Sequence, residues 1–268
     1  CLLVFAVGCS GKVEVAGTQA GQDQAAQQFQ AVANSQNFPQ FTVSDSEYPS
    51  WAAISYACEI GLIDPRAGFL GKLELNWKVD VVEQLMTYDA CLQSYGSFKC
   101  DAVCITNMDV LNPSTVRPST AILPTSTSAG ADALLSTTAT NVKDLAGKKI
   151  RGLPQSVSDY FLGRINEIEN LPKDSLLLET MNPDEAAVAM QTNNEENIVV
   201  WEPFVMQTLR KNPKAKVLAD SSKIKGEIID MIVIGNDSLS KPGGEAFACC
   251  LIDAYYSVNE LLTAPARS

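Results

Sequence analysis

Histidine is missing from all 268 residues. That excludes a Ser-His-Asp triad, a Cys-His dyad and histidine-ligated zinc. General acid–base work would fall to carboxylates, lysine, tyrosine or cysteine, which carry it less often. The chain is therefore expected not to be an enzyme and to use no cofactor or metal. Positive charge is scarce: 20 Lys and Arg stand against 31 Asp and Glu, a formal net charge of −11. A surface of that sign suits neither nucleic-acid phosphates nor anionic lipid headgroups. No cysteine falls between positions 105 and 248, and no Cys-x-x-Cys pair exists, so a thiolate metal site is not expected. Long apolar runs are missing as well. The one at residues 2–8 is too short to span a bilayer.

What is present is enough for a real core. The hydrophobic fraction is 46%, ordinary for a globular chain, and the length suits one large domain or two modest ones.

The sequence starts at Cys1 without a methionine, which suggests a fragment at this end. Residues 2–8 read as the tail of a signal-peptide core. Ala6-Val7-Gly8-Cys9 resembles the lipobox of bacterial lipoproteins, although leucine is usual where Ala6 stands. The resemblance implies that Cys9 is lipidated. Acyl chains worth about 0.8 kcal/mol per buried CH₂ would then anchor the chain to a membrane. The other reading is an ordinary signal peptide in which Cys9 is incidental. Residues 1–9 are thus a leader remnant and 10–37 a flexible tether, its stretch 19–36 rich in Gln and Ala and too poor in large apolar residues to fold alone. Export would place the protein in the periplasm or elsewhere outside the cytoplasm. There Cys58, Cys91, Cys100, Cys104, Cys249 and Cys250 can either pair or pack as small buried residues.

From Phe38 the pattern alternates strands and helices. Strands are expected at 41–43, 73–77, 102–106, 149–153, 176–179, 198–201, 217–218 and 228–234. Helices are expected at 49–62, 81–95, 156–168, 183–191, after Pro203 and at 244–262. Proline or capping residues open several of them, as in Asn182-Pro183-Asp184-Glu185. Alternation of this kind implies mainly parallel sheets flanked by helices, an α/β fold. Two such runs suggest two lobes: residues 38–119 with 230–268, and 120–229, joined near 120–126 and 226–231.

Six ordered segments carry a resemblance to a known family. They are Asp101-Ala102-Val103 with Thr106-Asn107-Met108-Asp109; Ser128-Ala129-Gly130-Ala131-Asp132; Asp144-Leu145-Ala146-Gly147-Lys148-Lys149-Ile150; Met181-Asn182-Pro183-Asp184-Glu185-Ala186-Ala187; Val199-Val200-Trp201-Glu202-Pro203-Phe204; and Lys216-Val217-Leu218 with Ile228-Ile229-Asp230-Met231-Ile232-Val233. In this order they resemble the solute-binding proteins of nitrate/sulfonate/taurine-type (NitT/TauT) ABC importers. Asn193 to Asn197 departs from the family pattern, and the sequence ends at Ser268, sooner than many relatives do. The resemblance implies a two-lobed periplasmic-binding-protein type II fold with a ligand cleft between the lobes. It also implies delivery of a small polar solute to a permease and ATPase, and a monomer.

In such sheets ligands sit beyond the carboxyl ends of strands, where helix N-termini converge. The junctions expected there supply Ser46, Trp51, Asn107, Asp109, Ser128, Asp132, Ser156, Ser158, Trp201 and Glu202 as candidate ligand contacts. Each has a plain alternative: Ser156, Ser158, Asp109 and Asp132 as helix caps, Trp51 as core. These junctions contain carboxylates and no lysine or arginine. A sulfonate or nitrate often meets a guanidinium, so an amide, urea, guanidine or amine is favoured over an anion, with Arg117 and Arg151 the nearest candidates to swing in. Two other readings stay open. One is an enzyme of the pyrimidine-synthase or menaquinone-pathway type on the same fold, and the other is a ligand-sensing module.

Overall fold

Ten strands among the described residues form two sheets of five. The computed structural model describes residues 37–66 and 68–264. Cys9, the expected leader remnant and residues 10–36 of the expected tether lie outside them.

The first sheet takes β1 (Gln40–Asp45), β2 (Asp80–Leu85), β3 (Ala102–Thr106), β4 (Ser119–Thr127) and β10 (Ile229–Gly235), in the order β2-β1-β3-β10-β4. The second takes β5 (Asp132–Ser136), β6 (Lys149–Gly152), β7 (Leu177–Thr180), β8 (Asn197–Trp201) and β9 (Lys216–Asp220), in the order β7-β6-β8-β5-β9. Each sheet is mixed. β1 pairs in parallel with β2 and β3, and β6 with β7 and β8, while β10 and β5 run antiparallel to both their neighbours. The second sheet is therefore one continuous insert between β4 and β10. The strand β4, expected to open the second lobe at residue 120, pairs along its length with β10 in the first sheet.

Helices cover the sheet faces. In the first lobe these are α1 (Ala52–Glu59), α2 (Lys72–Trp77), α3 (Tyr88–Gly96) and α4 (Leu111–Ser114), with α8 (Asn236–Leu239) and the long α9 (Gly244–Thr263) following β10. The second lobe carries α5 (Val157–Ile168), α6 (Pro183–Gln191) and α7 (Phe204–Lys211). Among the described residues no helix is long and apolar enough to cross a membrane. β3, β5 and β8 are buried at every position, the mark of central strands covered on both faces. The six described cysteines are unbridged, and all but Cys249 are buried.

Two expectations reverse between residues 72 and 96. Residues 73–77, expected as a strand, form α2, and the expected helix 81–95 divides into β2 and α3. Leu73, Leu75 and Trp77 alternate in sequence as strand residues do, but Leu73 and Trp77 also stand four apart, on one helix face, and both pack against the core. Trp77 Nε1 donates to Asp253 of α9 at 2.7 Å. Lys78 then enters the left-handed region at φ 57° and ends the helix. The buried Glu74 carboxylate binds the turn together, accepting from the backbone N–H of Gly71, of Asp64 at 3.0 Å and of Val81 at 2.6 Å.

Arg117 pins the far end of the first lobe. It is 1% exposed, and its guanidinium donates to the carbonyls of Tyr95 and Cys100 at 3.0 and 2.8 Å and pairs with Asp237 at 2.8 Å. The group lies 4.4 Å over the Tyr95 ring. A Cβ at Gly235 would meet Arg117 Nε at 2.3 Å, so only glycine leaves room for this arginine.

Candidate functional site

The cleft between the sheets is built by strand ends and helix starts. Beyond β1 the chain turns through Tyr48 and Trp51 into α1. β2 leads to Tyr88, the first residue of α3, and β3 ends at Thr106. On the other lobe Asp132 opens β5, Trp201 ends β8 and Val157 starts α5. Ile228 precedes the returning strand β10, and Asp230 lies within it. These nine residues line a cavity of about 10 Å³, room for a single water. Strand register explains the grouping: Asp132 stands opposite Trp201 and Asp230 opposite Thr106.

Four rings form much of the wall. Tyr48 and Trp51 lie 5.1 Å apart between centroids at 52°. Trp51 and Tyr88 lie 5.5 Å apart at 19°, and Tyr88 meets Trp201 edge-on at 5.5 Å and 80°. The last contact crosses from one lobe to the other. A second crossing joins the backbone N–H of Val157 to Asp109 Oδ2 at 3.2 Å. The lobes therefore touch around the cavity.

The cavity's two carboxylates are both buried. Ser128 donates to Asp132 Oδ2 and is itself held by Ser221 Oγ at 2.7 Å. Ser126 donates to Asp230 Oδ2 at 2.5 Å. Burial pushes Asp132 up to about 7, helped by the nearby charges of Asp230 and Asp109 and opposed by the Ser128 hydroxyl. Burial likewise pushes Asp230 up to about 6, against the Ser126 hydroxyl. Desolvation disfavours the charged form of a carboxyl that has no cation beside it. A second cavity of about 170 Å³ adjoins the first, sharing Tyr88 and Trp201, and is lined further by Glu47, Asp89 and Asp184. Among the described residues, neither cavity is lined by a lysine or arginine.

The arginines near the cleft in sequence are engaged elsewhere. Arg117 is locked onto Asp237, and Arg151 pairs with Glu179 at 2.7 Å and Glu195 at 3.0 Å. The N-terminus of α5, the natural place for an anion, is occupied by the protein's own groups. Val157 N donates to Asp109, Ser158 N to Ser156 Oγ at 3.2 Å, and Gln155 N to Asp159.

The structure brings three of the sequence-derived candidates to the cavity wall: Trp51, Asp132 and Trp201. The others stand behind or beside it. Ser128 positions Asp132, and Ser156 caps α5, its hydroxyl donating to Leu153 O at 2.7 Å. Asp109 accepts from Tyr88 Oη at 2.7 Å and so fixes that ring. Asn107 laces the interlobe connection, its amide donating to Glu227 O at 3.0 Å and accepting from Ile229 N at 2.9 Å. Glu202 accepts from Met206 N at 3.2 Å at the start of α7. Ser46 and Ser158 are buried, with hydroxyl oxygens lacking a partner, as does Trp51 Nε1. The wall also includes Tyr48, Tyr88, Thr106, Val157, Ile228 and Asp230, which were not chosen from the sequence. Tyr48 and Asp230 lie inside segments that drew attention; Tyr88 was hidden within an expected helix.

No family model matches the chain, and no curated protein does. Solved structures do. The alkanesulfonate-binding protein SsuA from Xanthomonas axonopodis pv. citri, bound to MOPS, aligns over 84% of this chain and 74% of its own, at 15% identity and a TM-score of 0.65. The periplasmic aliphatic sulphonate-binding protein SsuA from Escherichia coli aligns over 83% and 73%, at 13% identity and 0.64. A ligand-binding component of an ABC-type import system from Staphylococcus aureus, with zinc bound, aligns over 82% and 73%, at 11% identity and 0.63. The fold is thus the two-lobed α/β fold of periplasmic binding proteins. Among the described residues no group of three or more metal-ligating side chains occurs.

Proposed function

We propose that this protein is an extracytoplasmic receptor that traps a small polar solute between its lobes and delivers it to the permease and ATPase of an ABC importer. The observation that carries this reading is the aromatic cavity at the lobe junction of a periplasmic-binding-protein fold. A solute touching both walls favours the closed form over the open one. The connections between β4 and β5 and between β9 and β10 would absorb the rotation. The receptor works as a monomer without chemistry on its ligand, held near the membrane by a lipid on Cys9. Nitrogen-containing solutes, whether amides, ureas, guanidines or amines, fit the cleft better than the sulfonates named for its structural neighbours, because its described lining carries carboxylates and no cation. Of the buried donors without a partner, Trp51 Nε1 belongs to a residue of the cavity wall.

A thermal-shift screen of the chain against amines, amides, guanidines, pyrimidines, nitrate and sulfonates tests the reading. A ligand at about 100 times its Kd stabilises by about 2.7 kcal/mol. A shift with one compound class, and unchanged ligand recovered afterwards, is the expected result. Recovery of a chemically altered compound would turn the protein into an enzyme, and silence from every class would remove the receptor reading.

A further inference from the structure

We infer that the lobes close with uptake of protons from solvent: Asp109, Asp132 and Asp230 are buried together at the lobe junction, and a rising pH drives the lobes apart. The inference rests on the two-lobed receptor reading and adds a control to its cleft.

The three carboxyls come from both sides of the junction. Asp230 lies on β10 in the first sheet and Asp132 on β5 in the second, and both line the cavity between them. Asp109 follows β3 and accepts from Val157 N of the opposite lobe. They are 7%, 5% and 1% exposed for Asp109, Asp132 and Asp230. Thr106 N donates to Tyr88 Oη at 3.2 Å, and that hydroxyl donates to Asp109 at 2.7 Å. Tyr88 also makes the ring contact with Trp201. The crossings made by Val157 and by Trp201 thus meet at one hydrogen-bonded pair, Tyr88 and Asp109.

Water is short in this place. An ionised carboxylate accepts up to about four hydrogen bonds. Ser128 serves Asp132 and Ser126 serves Asp230, and the cavity they share has room for a single water. One water does not hydrate two charged groups, and desolvation favours their protonated forms. Parting the lobes would admit water to both.

The neighbouring groups give no relief. Tyr88 on α3 and Asp159 on α5 stand around Asp109, and Tyr48 stands near Asp132, Asp230 and Glu202. In the adjoining cavity Glu47 and Asp89 of the first lobe meet Asp184 of the second. None of these groups is a cation. Deprotonation therefore sets like charges against one another across the boundary, a repulsion that separation relieves.

In the shut cleft burial pushes Asp109 and Asp230 up to about 6 and Asp132 up to about 7, from an ordinary 3.8 that water-facing carboxyls regain. The closed form thus binds protons that the open form releases. The closure linked to them is full below 3.8 and is lost as pH rises through about 6 to 7.

The test is small-angle X-ray scattering of the chain, with acrylamide quenching of tryptophan, at about pH 5 and about pH 8 without added solute. Trp51 and Trp201, two of the three tryptophans, wall the junction. Radius of gyration and quenching should both increase toward the higher pH. Through Asp132 alone the open-to-closed ratio should rise on the order of 100-fold. Asp132→Asn should cut the rise by that factor. The triple variant Asp109→Asn, Asp132→Asn, Asp230→Asn should stay compact at both pH values. Circular dichroism separates opening from unfolding. A wild-type chain with the same radius and quenching at both pH values overturns the inference, as does an Asp132→Asn variant that opens with the wild-type pH dependence. Either result leaves the receptor reading intact, because a cleft can close on a solute without a change in protonation. That reading fails separately, if no solute in the wider screen binds.

Discussion

The carboxylates of this protein live in two different worlds. At part-exposed positions, Glu179 meets Lys149 and Arg151 at 2.8 and 2.7 Å, Glu227 meets Arg164 at 2.8 Å, and Glu169 meets Lys223 at 2.8 Å. All three are held below the usual carboxylate range by those cations. In the cleft, Asp132, Asp230 and Asp109 have hydroxyl and amide partners but no cation, and burial holds all three above it. The chain has 20 basic residues, so a cation could stand by the cleft as easily as by Glu179. A carboxylate kept dry and unpaired destabilises the empty protein. Its natural place is a site where something else brings the opposite charge.

The comparison can be pushed hardest at Arg117, a cation as deeply buried as the cleft acids but fully engaged. Arg117→Met removes the partner of Asp237 and strands two carbonyls, and should cost on the order of 3 kcal/mol in urea unfolding. A loss no larger than that of a surface substitution would contradict the network described for it.

Asp132→Asn should act in the opposite direction on the empty protein. The folded value, about 7, lies above the ordinary 3.8. Folding therefore binds a proton, and the stability linked to it is full below 3.8 and lost as pH rises through about 7. The ligand-free chain should become less stable across that window, and the variant should flatten the slope. At pH above 7 it should be the more stable protein by about 2 kcal/mol. An identical pH profile in both proteins would show that Asp132 is not the group responsible. For a cationic ligand the sign reverses: affinity should fall as pH drops through about 7, because protons compete for Asp132 and its neighbours Asp230 and Asp109.

Asn107→Ala cuts both side-chain links to the returning connection and should cost about 1 kcal/mol. It should also speed ligand dissociation, measured by stopped-flow tryptophan fluorescence, without altering the ranking of ligands. A changed ranking would move Asn107 from the connection into the site. The smallest effect belongs to Arg151→Gln. It breaks two part-exposed ion pairs, which contribute little, and it should leave ligand affinity unchanged. A change there would mean that the two sets of acids are not separate.

Much of the fold was legible because local signals and burial agree. Asn182-Pro183-Asp184-Glu185 marks the start of α6, and the apolar run before Trp201 can only be a buried strand. Residues 72–96 were misread because what decides them is distant. Glu74 gathers N–H groups from Asp64 to Val81, and Trp77 is held by Asp253. The site was legible where one segment held both motif and wall, as at Asp132 and Trp201. Tyr88 was not, since its place depends on where β2 stops. Nor could sequence separate a lining residue from its support. Ser128 and Asp132 lie four apart in one motif, yet one faces the cavity and the other holds it.

The place of β10 has a consequence for how the molecule is made. It sits inside the first sheet, between β3 and β4, although it follows every strand of the second. A chain emerging from its N-terminus has made all five strands of the second sheet by Asp220 while the first still lacks the strand that joins β3 to β4. The lobe inserted in the sequence is thus the one able to complete itself first. The other waits, with the edges of β3 and β4 unpaired, for residues 229–235 to close it, and during that interval those edges are open to pairing with another chain.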